Sequence, residues 1–232
     1  MADLPVPEDL VRALRELLAQ GRFQDALDAF QRSVEEGVRP PPAAQLFAAT
    51  AATRKGDLAT GASLAAEALE RFRSRADDDG RMRAINLLGA IDFERGRLDE
   101  SQEYFTEALR LAHQLHDTLM AARASNNLAS AVHLRGDLPA ALGLYRSALL
   151  GFQRLGDRHY IAETYHNLGL TFRQAAEWRE AENASAQAVR HAEVLGDRAL
   201  MALTMTGRAE LRIHLGEVAQ AFQELERAAR LA

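Results

Sequence analysis

The sequence predicts an all-α fold, an α-solenoid of about six helical hairpins and twelve helices. Two observations carry this. Gly56, Gly96, Gly136, Ala176 and Gly216 stand 40 residues apart, and a constant period of that length marks units that bury their apolar faces only against their neighbours. Between those positions the apolar residues follow helical spacing, broken in the middle of each unit by a turn.

The first unit opens after residues 1–7, which hold two of the six prolines and predict an irregular lead-in. Val11, Leu14, Leu17 and Leu18 make one helical face, Gly21 interrupts it, and Ala26, Leu27, Phe30 and Val34 make a second. Arg39-Pro40-Pro41-Pro42 predicts an extended linker, because proline excludes the helical conformation from the residue before it. Units are expected over about 8–37, 43–75, 81–116, 117–156, 157–196 and 197–232, all in a single domain, 1–232. The polar stretch from Ser74 to Arg81 reads as a solvated loop. At the turns, glycine accepts positive φ, and Ala176 is expected to cost about 1 kcal/mol there or to adopt another turn. Asp57 and Asp137 follow the turn as N-caps, with Pro139 in the first turn of its helix. Leu155-Gly156-Asp157 and Leu195-Gly196-Asp197 repeat a stop and a cap, and Leu115-His116-Asp117 is the same joint without glycine.

Small residues recur at three fixed offsets from the turn. Seven before it stand Ala49, Gly89, Ala129, Gly169 and Ala209; five after it Gly61, Ser101, Ala141, Ala181 and Ala221; twelve after it Ala68, Ala108, Ala148, Ala188 and Ala228. Such residues let helices approach closely. Leu88, Leu128 and Leu168, with Phe105 and Tyr145, supply large partners, while Arg208 and Ser185 depart from that scheme. This pattern resembles the tetratricopeptide repeat over nearly the whole chain, in a longer version similar to that of kinesin light chain, spindle-orientation adaptors and many bacterial regulators. The resemblance implies a right-handed superhelix whose first helices line a concave groove.

On the first helix of unit four, Arg123, Asn126, Asn127, Ser130 and His133 form one polar stripe at i, i+3, i+4, i+7 and i+10. Arg83 and Asn86 in unit three, and Glu163, His166, Asn167 and Arg173 in unit five, occupy matching places. A solvated helix face favours Glu, Lys and Gln; asparagine offers both a donor and an acceptor, and arginine forks onto carboxylates. By the family geometry the stripe faces the groove. The asparagine row resembles that of adaptors holding extended peptides, and does not match the carboxylate clamp of chaperone-binding members.

Composition narrows the function. The hydrophobic share of 47% suffices for a core, and a net charge of −5 lacks the basic excess that nucleic acid requires. No cysteine is present, which excludes disulfides and thiolate zinc sites. The N-terminus has no signal-like segment and no apolar run is long enough for a membrane, so a cytoplasmic location is expected, with no membrane partner. Lys55 is the only lysine among 28 basic residues, a usage typical of GC-rich bacterial genomes. His113 and His116 lack a carboxylate at ligand spacing, Ser130 and His133 lack a third triad member, and the glycines are turn residues, not a phosphate loop. No metal, cofactor or catalytic residue is expected. Trp178 is expected in the core.

The expected function is a non-enzymatic scaffold binding a peptide or partner protein, one with acidic or carboxylate groups, through Arg83, Asn86, Arg123, Asn126, Asn127, Ser130, His133, His166, Asn167 and Arg173. The alternative is a ligand- or peptide-sensing regulatory domain of a bacterial signalling protein. Val218, Phe222, Leu225 and Leu231 make an apolar face without an evident cover, which predicts a continuation or homo-oligomerisation at that end.

Overall fold

The structure, a computed structural model, describes residues 7–37 and 39–231, so most of the expected lead-in lies outside the described residues. Twelve helices follow one another without a strand among the described residues: α1 (Pro7–Ala19), α2 (Phe23–Glu35), α3 (Pro42–Arg54), α4 (Leu58–Arg73), α5 (Asp78–Glu94), α6 (Leu98–Gln114), α7 (Thr118–Leu134), α8 (Leu138–Leu155), α9 (Arg158–Gln174), α10 (Trp178–Leu195), α11 (Arg198–His214) and α12 (Val218–Ala229). They form two compact units, Met1–His116 and Asp117–Ala232. Within each, every first helix packs on its own second helix, and every second helix on the next first helix. First helices also approach one another closely, α1 with α3, α3 with α5, α7 with α9 and α9 with α11, whereas the backbones of successive second helices stand farther apart, α12 reaching α10 through an Arg227–Glu193 ion pair at 3.0 Å. Each unit therefore has a closed inner layer of first helices and an open outer layer of second helices.

Local chemistry sets the period. Asp77, Asp117, Asp157 and Asp197 each accept the N–H three residues on, from Gly80, Met120, Tyr160 and Leu200 at 2.9, 2.9, 3.3 and 3.0 Å. Asp57 and Asp137 do the same for α4 and α8. The acidic stretch expected as a loop is thus a helix start. Ala76 takes φ +51°, Asp77 caps, and Asp78 already begins α5. His116 closes its glycine-free joint in the same way, at φ +54°.

Ala176 also keeps the common turn, at φ +58°, and Glu177 N–H bonds the Phe172 carbonyl at 2.9 Å as Asp57 N–H bonds Ala52 at 3.0 Å. It therefore carries a left-handed penalty its glycine counterparts avoid. Ala176→Gly is expected to raise the unfolding free energy by about 0.5–1 kcal/mol, the gain in the native turn exceeding the added freedom of the unfolded chain. Urea melts will show it; an unchanged or lower midpoint contradicts the turn assignment.

The small residues at the three fixed offsets are all buried. A Cβ on Gly89 would stand 2.8 Å from the Phe105 ring, and one on Gly169 2.7 Å from the Ser185 hydroxyl, so the hairpin helices approach through these positions. Trp178 is not core: it is 41% exposed and stacks on His214 with ring centroids 6.1 Å apart. Its place in the first turn of a second helix lies at the hairpin's edge, where Leu58, Leu98 and Leu138 are only half-buried and Val218 is exposed, and an indole is too large to be covered.

Candidate interaction surface

The inner face of the unit containing α7, α9 and α11 is built from side chains that bond across first helices. The Arg123 guanidinium lies 4.8 Å over the Tyr160 ring, its Nε buried without a hydrogen-bond partner. Asn126 Oδ1 accepts the Thr164 hydroxyl at 3.2 Å, and His133 Nδ1 shares a 2.8 Å bond with the Thr171 hydroxyl. Ser130 turns instead toward its own hairpin, bonding the Tyr145 hydroxyl at 2.9 Å. Burial pushes that phenol up to about 12 despite the Ser130 bond. Four of the five residues of the predicted stripe thus fix α7 to its neighbours, Ser130 to α8 and Arg123, Asn126 and His133 to α9.

Further along, His166 rests on bare α11 backbone, since a Cβ at Gly207 would meet its ring at 2.6 Å. Arg173 reaches Glu210 of α11 at 2.7 Å. Asn127, Glu163 and Asn167 are half-buried on the same helices. At the ends of α7, α9 and α11 a cleft of about 320 Å³ opens, lined by His133, Leu170, Arg173, Gln174 and His214. It brings together His133 and Arg173 of the predicted set. Leu170, Gln174 and His214 escaped the sequence reading, although His214 falls one turn after Glu210, the residue that holds Arg173. In the other unit, the exposed Arg83 pairs with Asp79 one turn back at 2.8 and 3.0 Å, and Asn86 is half-buried.

Burial holds both His133 and His166 below the ordinary histidine pKa; for His166, Glu210 opposes the shift and Arg173 adds to it. The unfolded chain therefore binds these protons more tightly than the folded chain. Stability is expected to be flat above about pH 7.5 and to fall as pH drops through about 6.5, the unfolded-state value, toward the lower folded values. His166→Gln should flatten that slope in urea melts. An identical slope in the variant contradicts the burial of a neutral imidazole.

Among the described residues no three His, Asp or Glu stand together as a metal set, and no helix is long and apolar enough to cross a membrane. Sequence profiles described as tetratricopeptide repeat match residues 11–80 and 120–193, together well over half of the chain. No curated protein sequence matches it. Among solved structures, BtubC (BKLC) from P. vanneervenii is similar with a TM-score of 0.71 and 23% identity over 98% of this chain and 89% of that one. A Rap protein complexed with Competence and Sporulation Factor gives 0.77 and 14%, over 97% and 74%. A signal transduction ATPase with a tetratricopeptide repeat sensor, from Pyrococcus horikoshii, gives 0.77 and 15%, over 98% of this chain and 37% of that one. These identities speak for the fold alone.

Proposed function

The chain belongs to the tetratricopeptide repeat family, and from that premise we propose that residues 1–232 act as one non-enzymatic domain holding a peptide or partner protein against the inner faces of the first helices. The observation that carries this is the inner layer itself. Side chains from three successive first helices line one cleft there, His133 from α7, Leu170, Arg173 and Gln174 from α9, and His214 from α11. Thr171 holds His133 and Glu210 holds Arg173 before a ligand arrives, which lowers the entropic cost of binding.

In this reading Asn126, Asn127 and Asn167 of the second unit hold a ligand's backbone amides and Arg123 and Arg173 receive its carboxylates, with Ser130, His133 and His166 beside them. On the first unit, taken by itself, Asn86 and Arg83 offer the same two chemistries. Arg123 is the anchor because Tyr160 fixes its guanidinium. Arg123→Ala is expected to weaken partner affinity by at least about 1 kcal/mol, and added salt to weaken the wild-type complex. An affinity unchanged by both retires the inner face as the binding surface.

Self-association is assigned to the last helix. Val218, Phe222 and Leu225 share one face of α12 at 64%, 61% and 37% exposure, while Leu231 packs on Val189, Met205 and Ala228. Sedimentation at high micromolar concentration tests it: a strictly monomeric species removes this assignment.

A further inference from the structure

The cleft lined by His133, Leu170, Arg173, Gln174 and His214 has a fixed hydrogen-bond polarity. Thr171 is fully buried, and its hydroxyl has a single proton. That proton goes to the Asn167 carbonyl one turn back, at 2.8 Å, the usual partner of a threonine inside a helix. The hydroxyl oxygen is left to accept, and His133 Nδ1 stands 2.8 Å from it. Nδ1 therefore carries the proton of the ring. Burial holds His133 below the ordinary histidine pKa, so near neutral pH the imidazole is uncharged and Nε2 keeps its lone pair. No group among the described residues donates to Nε2.

The neighbours of His133 restrict what can use that lone pair. A carboxylate has no hydrogen to give it. A cationic donor would stand beside the Arg173 guanidinium, which Glu210 holds at the cleft from α11. An uncharged N–H remains, and Gln174, exposed at the rim, supplies an amide that can donate to the oxygen of the same group. Leu170, half-buried, covers an apolar stem, and about 320 Å³ admits one such side chain.

We infer that His133 Nε2 accepts a hydrogen bond from a side-chain carboxamide, an Asn or Gln of the bound segment, whose oxygen accepts from the Gln174 amide and whose stem lies on Leu170. This rests on the inner-face reading and adds to it: the ligand carries a carboxamide next to the carboxylate that Arg173 receives. Thr171 is a positioning residue, since it fixes the tautomer and touches no ligand.

The test is NMR on the full chain near neutral pH. Proton–nitrogen correlation spectra of the histidine rings should show His133 protonated at Nδ1. Titration with acetyl-glutamine-methylamide or acetyl-asparagine-methylamide should give saturable shifts around the cleft, the tighter of the two naming the side chain. The glutamine probe with a dimethylated side-chain amide keeps the oxygen and loses both N–H groups. It should bind at least about tenfold more weakly, the loss expected when a hydrogen bond to a partly buried group goes unmade. Thr171→Val removes the acceptor of Nδ1–H, should move the ring proton to Nε2, and should weaken the carboxamide probes by a similar factor. Where that variant does not fold, the probes on the wild-type chain decide. A His133 protonated at Nε2, no saturable shift with either carboxamide, or equal affinity for the dimethylated analogue overturns the inference. If it falls while Arg123→Ala still weakens partner binding, the inner face stands without it. A partner affinity indifferent to Arg123→Ala removes the inner face and leaves the carboxamide response unchanged, so the two failures are distinguishable.

Discussion

Phe152→Ala is expected to lower the unfolding free energy by about 3–5 kcal/mol, the range for deleting a fully buried aromatic side chain. Phe152 has no exposed surface and sits in a cluster with Ala122, Ala148 and Ile161, its ring stacked on Tyr160 at 4.8 Å and 14°. Two of those neighbours are alanines, which have no side-chain atoms to move into the void. The cavity therefore stays open and its cost stays near the upper part of the range. The consequence extends beyond this cluster, because Tyr160 is also the support of Arg123. In a repeat array, stability depends on interfaces between neighbours, so weakening the α8–α9 contact should also broaden the urea transition. A loss below about 1 kcal/mol with an unchanged slope would show that this interface does not hold α8 to α9.

Glu224→Ala is expected to cost about 3 kcal/mol, seen as detachment of α12 with loss of helicity. Glu224 meets Arg208 at 2.7 Å and Arg212 at 3.2 Å, and Arg212 also meets Glu217 at 3.0 Å. The Glu224 side chain is 13% exposed and the two arginines 20% and 23%, so removing it strands partly buried positive charge. Arg208 occupies the place of Leu88, Leu128 and Leu168, all buried. Arg208→Leu combined with Glu224→Leu should therefore recover or exceed the wild-type midpoint, as apolar replacements of buried pairs often do. A Glu224→Ala melt equal to wild type, or a double variant weaker than the single, contradicts the role of this cluster.

How much of this the sequence disclosed follows from where each interaction lies along the chain. The period, the aspartate caps and the small residues are local, and the caps mark the starts of α7, α8, α9 and α11. The start of α5 was hidden because Ala76 does without glycine what glycine does elsewhere, and because three aspartates in a row look like a loop when only Asp77 is the cap. Trp178 was misplaced because position in the repeat gives the side of a helix and not its distance from the hairpin's edge. The polar stripe was legible as a face, but its bonds to Tyr145, Tyr160, Thr164 and Thr171 belong to other helices. The same holds for Gln174 and His214, which meet His133 only through the packing of α7, α9 and α11.

We propose the inner face of the first helices as the working surface. Its most direct test is an affinity capture from bacterial lysate with the wild-type chain beside an Arg123→Ala, Asn127→Ala variant whose melting curve matches wild type, read by mass spectrometry. A protein retained by the wild type and lost with the variant is the result expected. Prey identical for both chains would contradict the claim and move the binding surface off the inner face.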